Sequence, residues 1–340
     1  MKAMILREYH HPMKLEEIET PRIGEDEILL QVKACGICRT DLKIYRGEIP
    51  PPIVILPHIP GHEVAGEVVA VGEKVSWIKK GDLGVLYIYV ACHRCDWCLT
   101  GQENLCPNLK RIGFELPGGY AQYVRAPSYS FCSFSRKLRF EEMAILTDAV
   151  AVSYRAVKVL ADARAGQNIL LVGIGGLGIH GVQIAKLCGA NVLAADRKPN
   201  ALALAKQFGA DFLIEAGGNP LDQIKEITGG KGVDAVVEFV SSKETMAWSL
   251  PSLKKGGTLV IVGYVPGHPV PIDTMAMHYN EWILKGARLS TKAELLQVIK
   301  LIEGGKLKPV ISQMFPFEKA NEALEALQGE STVGRLVLTF

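Results

Sequence analysis

Residues 1 to about 148 alternate short apolar stretches with polar ones. ILLQVKACG, EVAGEVVAVG and AQYVRAP each read as a strand, separated by glycine, proline and charged residues. This spacing predicts a β domain of barrel or sandwich type with long loops. Pro50, Pro51, Pro52, Pro57 and Pro60 crowd residues 49–61. So many fixed φ angles and missing amide donors predict a stiff loop there and not a helix.

From about residue 149 the pattern changes. AVSYRAVKVLADA has helical periodicity. NILLVG then predicts a buried strand, GGLGIHGVQIAKLCG a helix, NVLAAD a strand, ALALAKQFGA a helix, and VDAVVEFV and GGTLVIVG two further strands. Strands and helices that alternate in this way build βαβ units around a parallel sheet. Beyond about residue 286, AELLQVIKLIEGG predicts an amphipathic helix, FEKANEALEALQG another, and RLVLTF a strand.

Composition sharpens this picture. The 340 residues are 48% hydrophobic and 22% charged, the balance of a folded globular chain with room for two cores. Net charge is +2, which gives no basic field for nucleic acid. The start, MKAMILREYHHPMKLEE, becomes charged too soon for a signal peptide, and the weakly polar run Ile169 to Ile179 is too short and glycine-rich to span a bilayer. The expected location is the cytoplasm, with no membrane partner.

Two motifs carry chemistry. Gly173-Ile174-Gly175-Gly176-Leu177-Gly178 fits G-x-G-x-x-G, follows an expected strand and opens an expected helix. Gly173 allows a tight turn, Gly175 lets a pyrophosphate approach the backbone, and Gly178 lets helix and strand pack closely. The helix N-terminus offers amides and partial positive charge to phosphate. Eighteen residues beyond Gly178, at the end of the next strand, stands Asp196. A carboxylate there accepts hydrogen bonds from ribose hydroxyls and repels a 2′-phosphate, which favours NAD over NADP. Arg197 and Lys198 pull the other way.

Cys92-x2-Cys95-x2-Cys98-x7-Cys106 forms the second motif. Four thiolates so close in sequence can enclose a structural zinc. An iron–sulfur cluster is the rival occupant. His93 lies within the lobe but is expected at the surface.

Two more segments, CGICRTDLKIYRG (residues 35–47) and PHIPGHEVAGEVVAVG (residues 57–72), join these motifs to GGYAQYV and the closing GRLVLTF. Together, and in this order, they resemble the zinc-dependent medium-chain alcohol dehydrogenases over nearly the whole chain. The resemblance implies a GroES-like catalytic β domain (residues 1–148 and 288–340), a Rossmann NAD-binding domain (residues 149–287), and an active site in the cleft between them. It implies two zinc ions per chain, one catalytic and one structural, and NAD as cofactor. The expected reaction is reversible oxidation of a primary or secondary alcohol to an aldehyde or ketone.

Carried over by position, Cys38 and His62 resemble the first two ligands of the catalytic zinc. Asp148 stands where many members have a cysteine. As a harder, less charge-donating ligand, it implies a more electrophilic and more easily lost zinc. Glu63 resembles a carboxylate that joins the metal transiently. Asp41 resembles the acid that fixes the His62 tautomer. Thr40 matches the hydroxyl that takes the alcohol's proton. Lys43 replaces the histidine that continues the relay in many members, and a free lysine titrates too high for that task. The proton is therefore expected to leave through Thr40, ribose and water. Arg39 and Arg335 match pyrophosphate contacts, and Gly263 and Tyr264 complete the expected cofactor set. Tyr87, Phe114 and Trp282 are the aromatic candidates for the substrate pocket.

The expected partners are a small alcohol or carbonyl substrate and further copies of the chain, as a homotetramer with a dimer as the alternative. A polyol, sugar or threonine dehydrogenase on the same scaffold is the nearest other reading. A non-catalytic zinc and nucleotide sensor is the reading from a different class.

Overall fold

The computed structural model describes residues 1–329 and 332–340. The chain divides into two compact units. The first comprises residues 1–149, 290–305 and 309–340; the second comprises residues 150–289 and 306–308.

The first unit is built on a seven-stranded sheet. Its spine is the strand Glu27–Ile37, in which buried and half-buried residues alternate until the last four, which are all buried. Ile28, Leu30, Val32 and Ala34 supply the inward face. Along one path the order is Ile311–Pro316, Arg335–Thr339, Glu27–Ile37, Glu63–Val71, Leu83–Leu86 and Phe131–Ser133, and Tyr123–Pro127 also pairs with the spine. Register brings the site together: Gly36 lies opposite Glu63, and Ile37 lies opposite Leu336, the neighbour of Arg335. The expected strands in ILLQVKACG, EVAGEVVAVG, AQYVRAP and RLVLTF are all present.

The second unit is a six-stranded, wholly parallel sheet, the Rossmann arrangement expected. Its order is Phe212–Glu215, Asn191–Asp196, Asn168–Val172, Val233–Glu238, Leu253–Ile261 and Ile283–Gly286. Successive strands run outward in one direction from Asn168–Val172, then the order reverses at Val233–Glu238. That switch opens a crevice at the carboxyl ends of the two central strands, where open α/β sheets bind ligands. Leu170, Val172, Leu193, Ala195, Val236 and Leu259 form the core beneath it. The expected helix over AVSYRAVKVLADA is α-helical at Ala149–Tyr154 and widens to a π-helix at Arg155–Leu160. Among the described residues, no helix is long and apolar enough to cross a membrane.

Candidate metal centres and nucleotide site

The first centre is the four-cysteine lobe. The sulfurs of Cys92, Cys95, Cys98 and Cys106 all lie within 4.8 Å of one another. Cys95 and Cys98 are 3.5 Å apart, and Cys92 and Cys98 are 4.0 Å apart. A tetrahedron with Zn–S bonds of about 2.3 Å has edges of about 3.8 Å, so the cage has the size of a zinc site. All four cysteines are free thiols. The Arg94 backbone amide holds Cys92 down at about 6. Burial and the neighbouring thiols push Cys98 up to about 12. His93 stands outside the cage, exposed, with its ring edge-on to Tyr129 at 4.1 Å.

The second centre joins residues distant in sequence. Cys38 ends the spine strand's exit and caps the short helix Arg39–Tyr45. His62 directly precedes the strand Glu63–Val71, and Asp148 directly precedes the helix Ala149–Tyr154. Ligand atoms of Cys38, His62, Glu63 and Asp148 lie within 4.8 Å of one another, and all four residues are buried. His62 Nε2 is 3.7 Å from Asp148 Oδ2. Two ligand atoms at about 2.0–2.1 Å from a tetrahedral zinc stand about 3.3 Å apart, so a small inward movement completes the set.

The surroundings hold this geometry. Asp41 Oδ2 accepts the Cys38 N–H at 2.8 Å, while its Oδ1 lies 3.5 Å from His62 Nδ1. The Thr40 hydroxyl is 3.4 Å from the Cys38 sulfur. Glu63 lies over Gly36, where any Cβ would overlap Glu63 Oε2. Gly36 is a residue of the site that sequence reading missed. Its only signal was the pair of residues it occupies with Cys35, just before the ligand segment.

Arg335 departs from expectation. It was assigned to the pyrophosphate, yet it is 5% exposed and turned inward. Its Nε donates to Glu63 Oε1 at 2.8 Å, and its Nη2 donates to both Glu63 and Asp148. The two buried carboxyls favour this: the guanidinium gives Asp148 a counter-charge and Glu63 a donor where water is excluded.

The electrostatics demand cations. Burial pushes Glu63 up to about 8, with Arg335 pulling against it. Burial also acts on Asp148, but Arg335 and His62 outweigh it and hold that carboxyl well below the usual range. Burial disfavours a charged His62, yet Asp41 and Asp148 overcome it and raise the imidazole well above its usual value. Asp41 Oδ1, His62 Nδ1 and Glu63 Oε2 are buried with no hydrogen-bond partner among the described residues. A sulfur, an imidazole and a carboxylate converging with unmet polar atoms is the chemistry of a divalent metal site. The residues fit zinc.

At the nucleotide site, Gly173 turns the chain with φ +91 between the strand Asn168–Val172 and the helix Gly178–Leu187. A Cβ on Gly178 would overlap the Gly173 carbonyl oxygen, and around Gly175 the space is open. The Gly176 carbonyl bonds His180 Nδ1 at 2.8 Å, and Leu177 caps the helix. Asp196 Oδ2 accepts the Ile174 N–H at 2.7 Å and Oδ1 accepts the Lys198 N–H at 2.9 Å, so this carboxylate ties the glycine loop to the next strand. Arg39, Arg197 and Tyr264 are exposed, and Gly263 follows the strand Leu253–Ile261.

The aromatic candidates separate. Phe114 leans on the His62 ring at 5.2 Å. Tyr87 is core, donating its hydroxyl to the Ser290 carbonyl at 2.9 Å. Trp282 packs against the hydrophobic core of the second unit.

Known proteins resemble both parts of the chain. Residues 24–135 match the alcohol dehydrogenase GroES-like domain, and residues 176–304 match the zinc-binding dehydrogenase family. An alcohol dehydrogenase of Geobacillus stearothermophilus is 36% identical over 340 residues, covering 99% of this chain and 98% of that protein. The chain belongs to the zinc-dependent medium-chain alcohol dehydrogenase family. An NAD-dependent alcohol dehydrogenase of Sulfolobus acidocaldarius is 34% identical over 345 residues, covering 99% of each. The crystal structure of an alcohol dehydrogenase from the archaeon Aeropyrum pernix superimposes with a TM-score of 0.95 at 32% identity, covering 100% of both chains. Zinc and NAD are the cofactors of this family member, and the two clusters described above are the sites that fit two zinc ions.

Proposed function

We propose that this chain oxidises primary or secondary alcohols reversibly to aldehydes or ketones, with NAD as hydride acceptor. The convergence of Cys38, His62 and Asp148, from three separate segments of one unit, carries this reading. Three protein donors leave a fourth tetrahedral position for substrate oxygen. When bound, zinc supplies a Lewis acid that lowers the pKa of an alcohol, and NAD supplies the redox chemistry.

The chain's own residues do the rest. Cys38, His62 and Asp148 would hold the catalytic zinc, with Glu63 in reserve. Asp41 Oδ1 faces His62 Nδ1 at 3.5 Å; by accepting from it as the metal site closes it would leave Nε2 to present its lone pair to the metal. Thr40 Oγ1, 3.4 Å from the Cys38 sulfur, would take up the substrate's proton, and the ribose of the bound nucleotide and water would carry it outward. Lys43 is half-buried, and burial pulls its ammonium below the usual value while Cys38 and Glu48 partly restore it. We assign it to the cofactor side and not to the proton path. Cys92, Cys95, Cys98 and Cys106 would hold the structural zinc. Asp196 binds the adenosine ribose and discourages NADP.

The same reading includes a homo-oligomer, a tetramer by preference, in the cytoplasm. Ile272, Met275, Tyr279 and Ile283 are exposed apolar residues on or near the edge strand Ile283–Gly286, which is 47% exposed at Ile283. Unpaired edges of this kind are usually covered. Eight free thiols suit a reducing compartment.

The test is metal analysis together with an assay of alcohols and polyols against NAD and NADP. Two zinc ions per chain and alcohol-dependent NADH absorbance are expected. One zinc and no turnover with any alcohol would overturn the reading.

A further inference from the structure

The strand Val233–Glu238 ends on a carboxyl that the chemistry above does not use. Glu238 is completely buried. Its Oε2 accepts the backbone N–H of Ser241 at 2.7 Å and of Val240 at 3.2 Å, and its Oε1 has no partner among the described residues. Its carbonyl oxygen accepts the N–H of both Val262 and Gly263, at 2.9 and 3.0 Å. One residue therefore ties the segment 239–241 to the end of the neighbouring strand Leu253–Ile261.

That segment borders the glycine turn. A Cβ on Gly173 would lie 2.5 Å from Val240 Cγ2, and one on Gly263 would overlap the Phe239 carbonyl oxygen. Ser241 sits in the left-handed region with φ +54, a conformation a serine does not hold without outside constraint. Val240 is 40% exposed, whereas its neighbour Phe239 is half-buried and Ser241 is buried. An apolar side chain is thus held out at the crevice where the sheet order reverses, beside the first glycine of the fingerprint.

We propose that Glu238 is a positioning residue for the dinucleotide: by accepting the Val240 and Ser241 amides it fixes Val240 as an apolar wall of the cofactor site next to Gly173. This rests on the NAD reading above. A buried carboxyl in a sheet core is a costly choice, and leucine would fill similar space at lower cost if no acceptor were needed. Burial pushes the Glu238 carboxyl up, opposed by the Ser241 amide, the Thr245 hydroxyl and the Val240 amide. The neutral amide of glutamine is therefore a close replacement: its oxygen accepts both amides, and its NH₂ takes the place of the unpartnered Oε1.

The experiment titrates NADH by fluorescence into the zinc-loaded wild type, Glu238→Leu, Glu238→Gln and Val240→Ala, and measures KM for NAD, kcat and zinc content. Glu238→Leu removes the acceptor of both amides and should weaken NADH binding about tenfold, or about 1.4 kcal/mol. Its zinc content and its kcat at saturating NAD should stay near those of the wild type, which separates positioning from a general loss of structure. Glu238→Gln should bind NADH nearly as the wild type does. Unchanged NADH affinity in Glu238→Leu overturns the proposal, and so does a Glu238→Gln as weak as the leucine variant, since acceptor geometry would not then be what matters. If Glu238→Leu does not fold, Val240→Ala decides: a several-fold loss of NADH affinity upholds the wall, and an unchanged affinity removes it. A wild type that binds no NADH would instead bring down the NAD reading itself.

Discussion

Arg335 is bonded to Asp148, the carboxylate proposed as third zinc ligand. The same guanidinium also holds Glu63, which stands in reserve beside the metal site. A fixed cation and a metal ion thus draw on the same acidic pair. Arg335→Met should leave two buried carboxylates short of positive charge. In chelator-treated protein this should cost about 3–5 kcal/mol, the range for breaking a buried pair, and lower Tm by roughly 10 °C. Zinc-loaded protein should lose less than half as much, because the metal supplies the missing charge. Calorimetry with and without chelator measures both values, and equal losses in the two states would falsify the charge-sharing account.

The two metal sites should empty independently. Asp148→Asn removes a charged donor at the catalytic site and should leave one zinc per chain after dialysis against a mild chelator, with turnover down at least about 100-fold. Cys98→Ser should also leave one zinc, but should keep turnover in freshly prepared protein while lowering Tm, since that cage clamps a lobe. Asp148→Cys should retain zinc against higher chelator concentrations than the wild type. Elemental analysis on matched samples distinguishes the three outcomes.

Asp196 does two jobs: it ties down the glycine turn through Ile174, and it is proposed to face the ribose. Asp196→Ala should raise KM for NAD by about tenfold or more, with kcat changed far less, because one or two hydrogen bonds to bound cofactor are lost. The preference for NAD over NADP should shrink at the same time, with Arg197 and Lys198 left unopposed. A KM that rises equally for both cofactors would point to a distorted turn and away from ribose recognition.

His58 gives a pH dependence. It is 6% exposed and shares a 3.0 Å hydrogen bond with the Gly113 carbonyl. Burial holds its imidazole below the ordinary value, with the Gly113 carbonyl partly offsetting that effect. The unfolded chain takes up the proton near pH 6.5 and the folded chain only at lower pH, so stability falls as pH drops below about 6.5. Denaturant titrations at pH 7.5 and 5.5 should show this decline, and it should be smaller in His58→Gln. An identical decline in the variant would assign the effect to other groups.

Much of this was legible in sequence because spacing encodes local geometry. The glycine turn and the four cysteines lie within single short segments, and each predicted element around them has a local period. The bonds of Arg335 to Glu63 and Asp148 were not legible, for the opposite reason. Its partners Glu63 and Asp148 lie 272 and 187 positions away, and only the pairing of Arg335–Thr339 with Glu27–Ile37 brings them into reach. Gly36 was silent because its role is the absence of atoms beneath Glu63. Glu238 hid inside a largely apolar strand pattern, VDAVVEFV, where it reads, like Asp234, as a polar interruption. Tyr87 and Trp282 show the reverse limit: aromatic identity alone did not separate core from pocket.

The two zinc cages differ in how much polypeptide each must wait for. One is complete within residues 92–106, so it can fill while the ribosome is still at work and steady the growing lobe. The other needs residues 38, 62, 148 and the balancing cation at 335. That cage closes only when three distant segments and the strand carrying Arg335 have folded together, so an ion held there reports the tertiary fold of the first unit, whereas an ion in the lobe reports a local loop.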